Sequence, residues 1–213
     1  TVRDASGNSN DGTLTLGASP PAATAWVDGY SNCALDFDGS DDYVARTIGF
    51  VTTGTVFTVS LWCNFPNVGQ NNPVAYSENT PANWASDLFI IYCGDMEADF
   101  AIRVFQNATR LTYGNVADMA SSWHHVVVVQ SSITNRELFV DGVSRDTNSD
   151  SISALAITNA YFGAGNNNGT FTQHYDGIVD DVRIYNYALT QKQIDTVYNQ
   201  GSGVRFGPET GTP

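Results

Sequence analysis

Residues 57–65, Phe57-Thr58-Val59-Ser60-Leu61-Trp62-Cys63-Asn64-Phe65 (FTVSLWCNF), place apolar side chains at every second position, with Thr58, Ser60, Trp62 and Asn64 between them. Successive side chains of an extended chain point to opposite faces, so this period of two marks a β-strand. The signal recurs on both sides of it. Leu35 and Phe37 alternate with Asp36 and Asp38, and residues 87–93 (DLFIIYC), 99–106 (DFAIRVFQ) and 110–114 follow. Residues 123–130 (WHHVVVVQ) are almost continuously apolar, as expected of a central strand covered on both faces. Residues 137–143 read as a hairpin with Asp141-Gly142 as a two-residue turn that tolerates positive φ. Residues 156–163 and 177–185 supply the last strands. Gly, Asn, Asp, Ser and Pro separate these runs.

Helical spacing enters only after residue 190. Thr190 and Gln193 form a T-x-x-Q capping box, Ile194, Val197 and Tyr198 make one apolar face, and Gly201 supplies a stop. Many short strands with one late helix predict an all-β, two-sheet antiparallel sandwich. Three polar loops, 7–12, 70–85 and 163–174, interrupt it, and long loops in a compact sandwich often carry function.

The chain has 213 residues and a net charge of −13, with Lys192 its single lysine beside eight arginines. That balance argues against nucleic acid and anionic membranes, which need clustered cations. It suits calcium, neutral or polar ligands, and a secreted protein. No signal peptide pattern and no apolar run long enough to span a bilayer is present. Residues 1–206 are expected to form one domain. Residues 207–213 (GPETGTP) read as a linker to neighbouring domains of a larger, secreted bacterial chain. Cys33, Cys63 and Cys93 lack metal-ligand spacing. They read as buried thiols, with one disulfide as the rival.

Asp180 and Asp181 open a stretch, DDVRIYNYALTQKQI (180–194), that runs from strand into helix. Strict alternation would aim at least one of these carboxylates toward the apolar side marked by Ile178, Val182 and Ile184. An isolated buried carboxylate is costly, so a partner is predicted.

Six motifs appear in order: DASGNSNDGT (4–13), ALDFDGSDDYV (34–44), FTVSLW (57–62), WHHV (123–126), LFVDG (138–142), and DGIVDDVRIYN (176–186) with Ala188-Leu189. Together they resemble laminin-G-like, concanavalin A-like jelly-roll domains over roughly residues 1–200. Such domains accompany many secreted bacterial polysaccharide enzymes and adhesins. The resemblance implies a calcium ion held by carboxylates and carbonyls. It maps the last-strand ligand onto Asp181, the N-terminal ligand onto Asp4, and a carbonyl donor onto Gly39 in the Asp38-Gly39 turn. Asp180 would face the other way and accept hydrogen bonds, and Asp41 could join the site.

Sugars pack C–H faces on aromatic rings beside hydrogen-bonding groups. Trp84, an indole in a polar loop, is the first candidate contact. Tyr76, Tyr92, Arg103 and Tyr113 lie on neighbouring segments, and the last long loop adds Asn167, His174 and Tyr175. An exposed Arg103 would favour an anionic glycan. Trp62 and Trp123 read as structural, although Trp62 lies off the core parity.

One acidic run, Asp95, Glu97 and Asp99, spaces carboxylates at i, i+2 and i+4, as retaining glycosidases require of a close pair. It follows Cys93-Gly94 and reads better as a solvated hairpin. His124 and His125 face opposite ways and cannot share a metal. The sequence therefore points to a non-catalytic carbohydrate-binding module of a polysaccharide-active protein, stabilised by calcium. An adhesion domain binding a cell-surface glycan or protein is the alternative, and a hydrolase using Asp95, Glu97 and Asp99 the second.

Overall fold

The structure is a computed structural model that describes residues 1–17, 25–46, 56–65, 73–78, 88–93, 100–106, 109–115, 119–152, 159–167 and 170–199. Among these, two seven-stranded antiparallel sheets pack face to face. The first sheet runs, in spatial order, β1 (Thr13–Thr15), β4 (Tyr43–Arg46), β13 (Asn159–Phe162), β6 (Pro73–Glu78), β7 (Leu88–Cys93), β8 (Phe100–Gln106) and β9 (Thr109–Asn115). The second runs β12 (Val143–Asn148), β11 (Asn135–Val140), β10 (His124–Ser132), β5 (Phe57–Asn64), β16 (Asp176–Tyr185), β3 (Cys33–Asp38) and β2 (Trp26–Asp28). A two-stranded ribbon, β14 (Gly165–Asn167) with β15 (Thr170–Thr172), joins neither ladder but packs Phe171 on Ile90, Tyr92 and Tyr161 of the first sheet. The all-β antiparallel sandwich is thus the fold.

The core lies where period two puts it. Phe57, Val59, Leu61 and Cys63 of β5 meet Val126 and Val128 of β10, and Phe89, Ile91, Cys93, Ile102 and Val104 of the first sheet. The other parity of β5 is buried as well, because the segment after β16 crosses it. Thr58 Oγ1 donates to the Tyr187 carbonyl at 2.9 Å and accepts from the Leu189 amide at 3.0 Å. The single described helix, α1 (Gln191–Asn199), then seats Ile194 and Val197 on Val127, Val129 and Phe139. Its entry is the capping box: Gln193 Oε1 accepts from the Thr190 amide at 2.9 Å, and Thr190 Oγ1 from the Gln193 amide at 3.4 Å. This cover explains why β10 is apolar on both faces.

The hairpin turn is at Asp141 and Gly142, with φ of 53° and 76°. Two stretches depart from expectation. The loop assigned to 70–85 contains β6, whose small residues and leading proline disguise a strand. The loop assigned to 163–174 contains the β14–β15 ribbon. The cysteines also divide: Cys63 and Cys93 are buried, whereas Cys33 is exposed at the start of β3 beside the short edge strand β2.

β16 resolves the aspartate pair. Its pairing with β5 shifts register between Asp180 and Arg183, a bulge that inserts one extra residue and breaks the alternation. Val179 before the bulge and Ile184 after it both face the core, at odd and even positions. Neither aspartate is therefore driven inward; both turn to the outer face of the second sheet.

Candidate functional site

On that outer face Asp180 lies in register with Trp62. Its carboxylate is almost fully buried, and its oxygens accept the Ser31 amide at 2.8 Å and the Asp181 amide at 2.7 Å. This is the hydrogen-bonding role expected of it. The donor loop is a tight turn in which the Gly29 amide bonds the Asn32 carbonyl at 2.7 Å. A Cβ on Gly29 would stand 2.5 Å from Asp180 Oδ2, so the carboxylate seat requires glycine there.

Asp181 adopts φ of 45° and Asn32 φ of 70°, conformations uncommon for residues with side chains. The turn at Asp181 brings its Oδ1 to Arg183 Nε at 2.8 Å. The Arg183 guanidinium is held protonated above its ordinary range against the cost of its own partial burial, by hydrogen bonds and charge from Asp181 and Tyr185. Tyr30 stacks on Trp62 with centroids 3.4 Å apart and planes at 14°. Tyr30, Ser31, Asn32, Trp62, Asp180, Asp181 and Arg183 line a cleft of ≈ 440 Å³, a size suited to a small ligand. It offers an aromatic wall, a hydroxyl, an amide, carboxylates and a guanidinium.

Beneath the cleft Trp62 also contacts His125 (centroids 5.0 Å apart) and Tyr198 (5.6 Å, 15°). His125 Nε2 meets Ser60 Oγ at 2.9 Å, but both residues are fully buried and His125 Nδ1 has no hydrogen-bond partner. Burial pushes the His125 pKa down to about 4. A sealed pair without an acid on the second nitrogen is not an activated serine. His124 turns instead to Asp141 Oδ2 at 2.9 Å and the Met119 carbonyl at 3.1 Å, so the two histidines do serve different partners.

The other expected contacts scatter. Tyr92 and Arg103 are brought together on the outer face of the first sheet, with the guanidinium 5.3 Å from the ring centroid, and both are buried. Burial at 6 % exposure removes the argument that Arg103 selects an anionic glycan. Tyr76 holds a register position beside Tyr161 and Ile90 of the same sheet. Tyr113 belongs elsewhere: it packs on the core and is covered by Arg145, 4.4 Å from its centroid. Tyr175 is a core residue at 1 % exposure, edge-on to Phe37, its hydroxyl donating to the Asn64 carbonyl at 3.3 Å. His174 lies beside the Asp42 carbonyl, its Nδ1 3.5 Å away. Asn167 pairs with Thr170 in the ribbon. Trp84, and the acidic trio Asp95, Glu97 and Asp99, lie outside the described residues.

Nor does the structure bring Asp4, Gly39 and Asp181 to one point. The Gly39 amide bonds the Tyr175 carbonyl, at the start of β16. Asp181 stands six residues farther on, roughly 15–20 Å along a strand, and its carboxylate is engaged by Arg183. Asp4 organises its own loop, accepting from the Ser6 hydroxyl at 2.7 Å and from the Asn10 and Ser6 amides at 2.8 Å each. Those bonds lower its pKa to about 2.

A different set converges. Carboxylate oxygens of Asp38, Asp41 and Asp42 lie within 4.8 Å of one another. Asp42 is fully buried, its oxygens accepting the Gly17 amide at 3.0 Å and the Asp38 amide at 3.4 Å. Burial raises the pKa of neighbouring Asp36, and the fields of Asp176, Asp42 and Asp38 raise it further. Among the described residues no ion pair offsets this crowding.

A family model for the concanavalin A-like lectin/glucanases superfamily matches residues 38–195. No curated protein sequence matches the chain. Among solved structures, domain 4 of AbnA, a GH43 extracellular arabinanase from Geobacillus stearothermophilus, in complex with arabinotriose, superposes with a TM-score of 0.71 at 18% identity, covering 92% of each chain. The binding domain of Paraclostridial Mosquitocidal Protein 1 gives a TM-score of 0.65 at 14% identity over 93% of this chain and 49% of that one. Trypanosoma rangeli sialidase gives 0.61 at 13% over 86% and 29%. The chain spans about half the length of the toxin domain and under a third of the sialidase. At these identities the likenesses concern the fold. By the family match, the chain belongs to the concanavalin A-like lectin/glucanases superfamily.

Proposed function

We propose that this member of the superfamily is a non-catalytic carbohydrate-binding module of a larger secreted protein, and that it binds a neutral saccharide in the cleft between the Tyr30–Asn32 turn and the β16 bulge. The observation that carries the reading is the content of that cleft: the half-buried Tyr30 ring, backed by the buried Trp62, beside the Asp181–Arg183 pair, with Ser31 and Asn32 at the rim. An aromatic ring supports the C–H face of a pyranose or furanose. A carboxylate accepts from vicinal hydroxyls while a guanidinium and an amide donate to them. The net charge of −13 disfavours an anionic chain. One structural neighbour was solved in complex with arabinotriose, which makes short neutral oligosaccharides the first ligands to try.

The test is calorimetric titration of such oligosaccharides into the protein and into Tyr30→Ala and Asp181→Asn variants. Each variant should weaken binding about tenfold or more, the scale of one or two lost polar or stacking contacts. Undiminished affinity in both, with loss in Phe171→Ala, would move the site to the first sheet. There Phe171 stacks on Tyr43 at 3.8 Å.

Calcium is part of the same proposal, at Asp38, Asp41 and Asp42 rather than at Asp181. The donors fit a hard cation: they are all carboxylate oxygen, Asp42 is fully buried, and Asp42 and Asp38 crowd Asp36. When bound, the ion would supply charge neutralisation that ties the Asp38–Asp42 turn in place.

A further inference from the structure

We infer that Cys63 and Cys93 form a disulfide that staples the two sheets of the sandwich together. Their Sγ atoms lie 3.2 Å apart, within the protein core, at 0 % and 2 % exposure. Cys63 is on β5 of the second sheet and Cys93 on β7 of the first, so the pair reaches across the core rather than along one sheet. A disulfide bond is about 2.05 Å long, so closure asks for roughly 1 Å of sulfur movement, within the reach of small side-chain rotations. Sandwich domains can accommodate such an inter-sheet bridge. Cys33 is no competitor in the folded chain: it is exposed at the start of β3, whereas the other two are sealed in the core.

The chemistry is a two-electron oxidation. Both S–H bonds break, one S–S bond forms, and two protons and two electrons pass to a disulfide oxidant, either a dithiol–disulfide oxidoreductase or a small disulfide such as oxidised glutathione, which leaves as thiols. The proposal is independent of the saccharide reading, but it has a bearing on that site. Cys63 follows Trp62, so the staple anchors the strand that carries the cleft wall. In the folded protein burial shields the bridge from reductant, since exchange needs access to a sulfur.

The experiment is alkylation under denaturing conditions, read by intact mass, on protein folded in a buffer of reduced and oxidised glutathione. One alkylated cysteine without reductant, three after reduction, and a Cys63–Cys93 cross-linked peptide on digestion are expected. The unreduced protein should also unfold at a higher urea concentration than the reduced one, a difference absent from Cys63→Ala. Three alkylated cysteines before reduction, or a cross-link to Cys33, would overturn the assignment.

Discussion

His125 should make the domain acid-sensitive over a defined window. It is fully buried between Ser60, Trp62 and Tyr198, and its pKa falls from 6.5 to about 4. Burial is the main cause. The Asp141 and Asp181 carboxylates oppose it and Arg183 adds to it. In the unfolded chain the ring titrates near its ordinary value, so the unfolded state takes up the proton first as pH falls. The neutral-ring contribution is therefore fully present above pH 6.5, declines as pH falls toward 4, and levels off below that. The difference amounts to roughly 3 kcal/mol in full, of which about 2 kcal/mol is lost between pH 7.5 and pH 5. Urea unfolding at a series of pH values reads this directly, with tryptophan fluorescence as the probe. Other groups titrate nearby: the raised pKa of Asp36 acts in the opposite sense, and the depressed values of Asp4 and Asp141 act in more acidic solution. A His125→Gln variant, which keeps a polar partner for Ser60, isolates the imidazole's contribution. Its stability at neutral pH can change, but its slope between pH 7.5 and pH 5 should be flatter by about 2 kcal/mol. Equal slopes in the two proteins would show that the buried imidazole does not set the acid sensitivity.

Three further outcomes are expected. Gly163→Ala should destabilise by roughly 2–4 kcal/mol in denaturant titration, since φ is +83° and a Cβ would stand 2.3 Å from the Phe37 ring. Thr190→Ala should cost about 1 kcal/mol by removing the side-chain half of the α1 capping box. Calcium at millimolar concentration should raise the melting temperature of metal-free protein, and Asp42→Asn should lose most of that rise; no calcium effect on the natural protein would overturn the proposed ion site.

The strands that build the core were legible because β5 and β10 bury what their period predicts, and the capping box at Thr190 marked α1. What escaped has physical causes. A bulge cannot be read from alternation, so the Asp180–Asp181 pair looked like a charge aimed inward. β6 and the β14–β15 ribbon were hidden by small and polar residues that sequence reading assigns to loops. Tyr175 looked like a ligand contact because it ends a polar run, yet its ring fills the interior beside Phe37. The site was legible only as a question. Two adjacent carboxylates demanded partners, but these came from Ser31, 149 positions away, and from an arginine two residues on. Tyr30 and Asn32, in a turn without a motif, gave no signal of their own. The expected metal ligands lie apart: Gly39 bonds the Tyr175 carbonyl beside the start of β16 and Asp181 sits six residues beyond it, while the stretch DGSDD (38–42) gathers its own carboxylates.

Amide chemical-shift mapping locates a saccharide bound in the cleft. Titrating short neutral oligosaccharides into isotope-labelled protein should shift the amides of Ser31, Asn32 and residues 180–183 together, saturably, while the first sheet stays in place. Shifts gathered on the first sheet around Tyr43 and Phe171, or none with any neutral oligosaccharide tried, would contradict binding in the cleft.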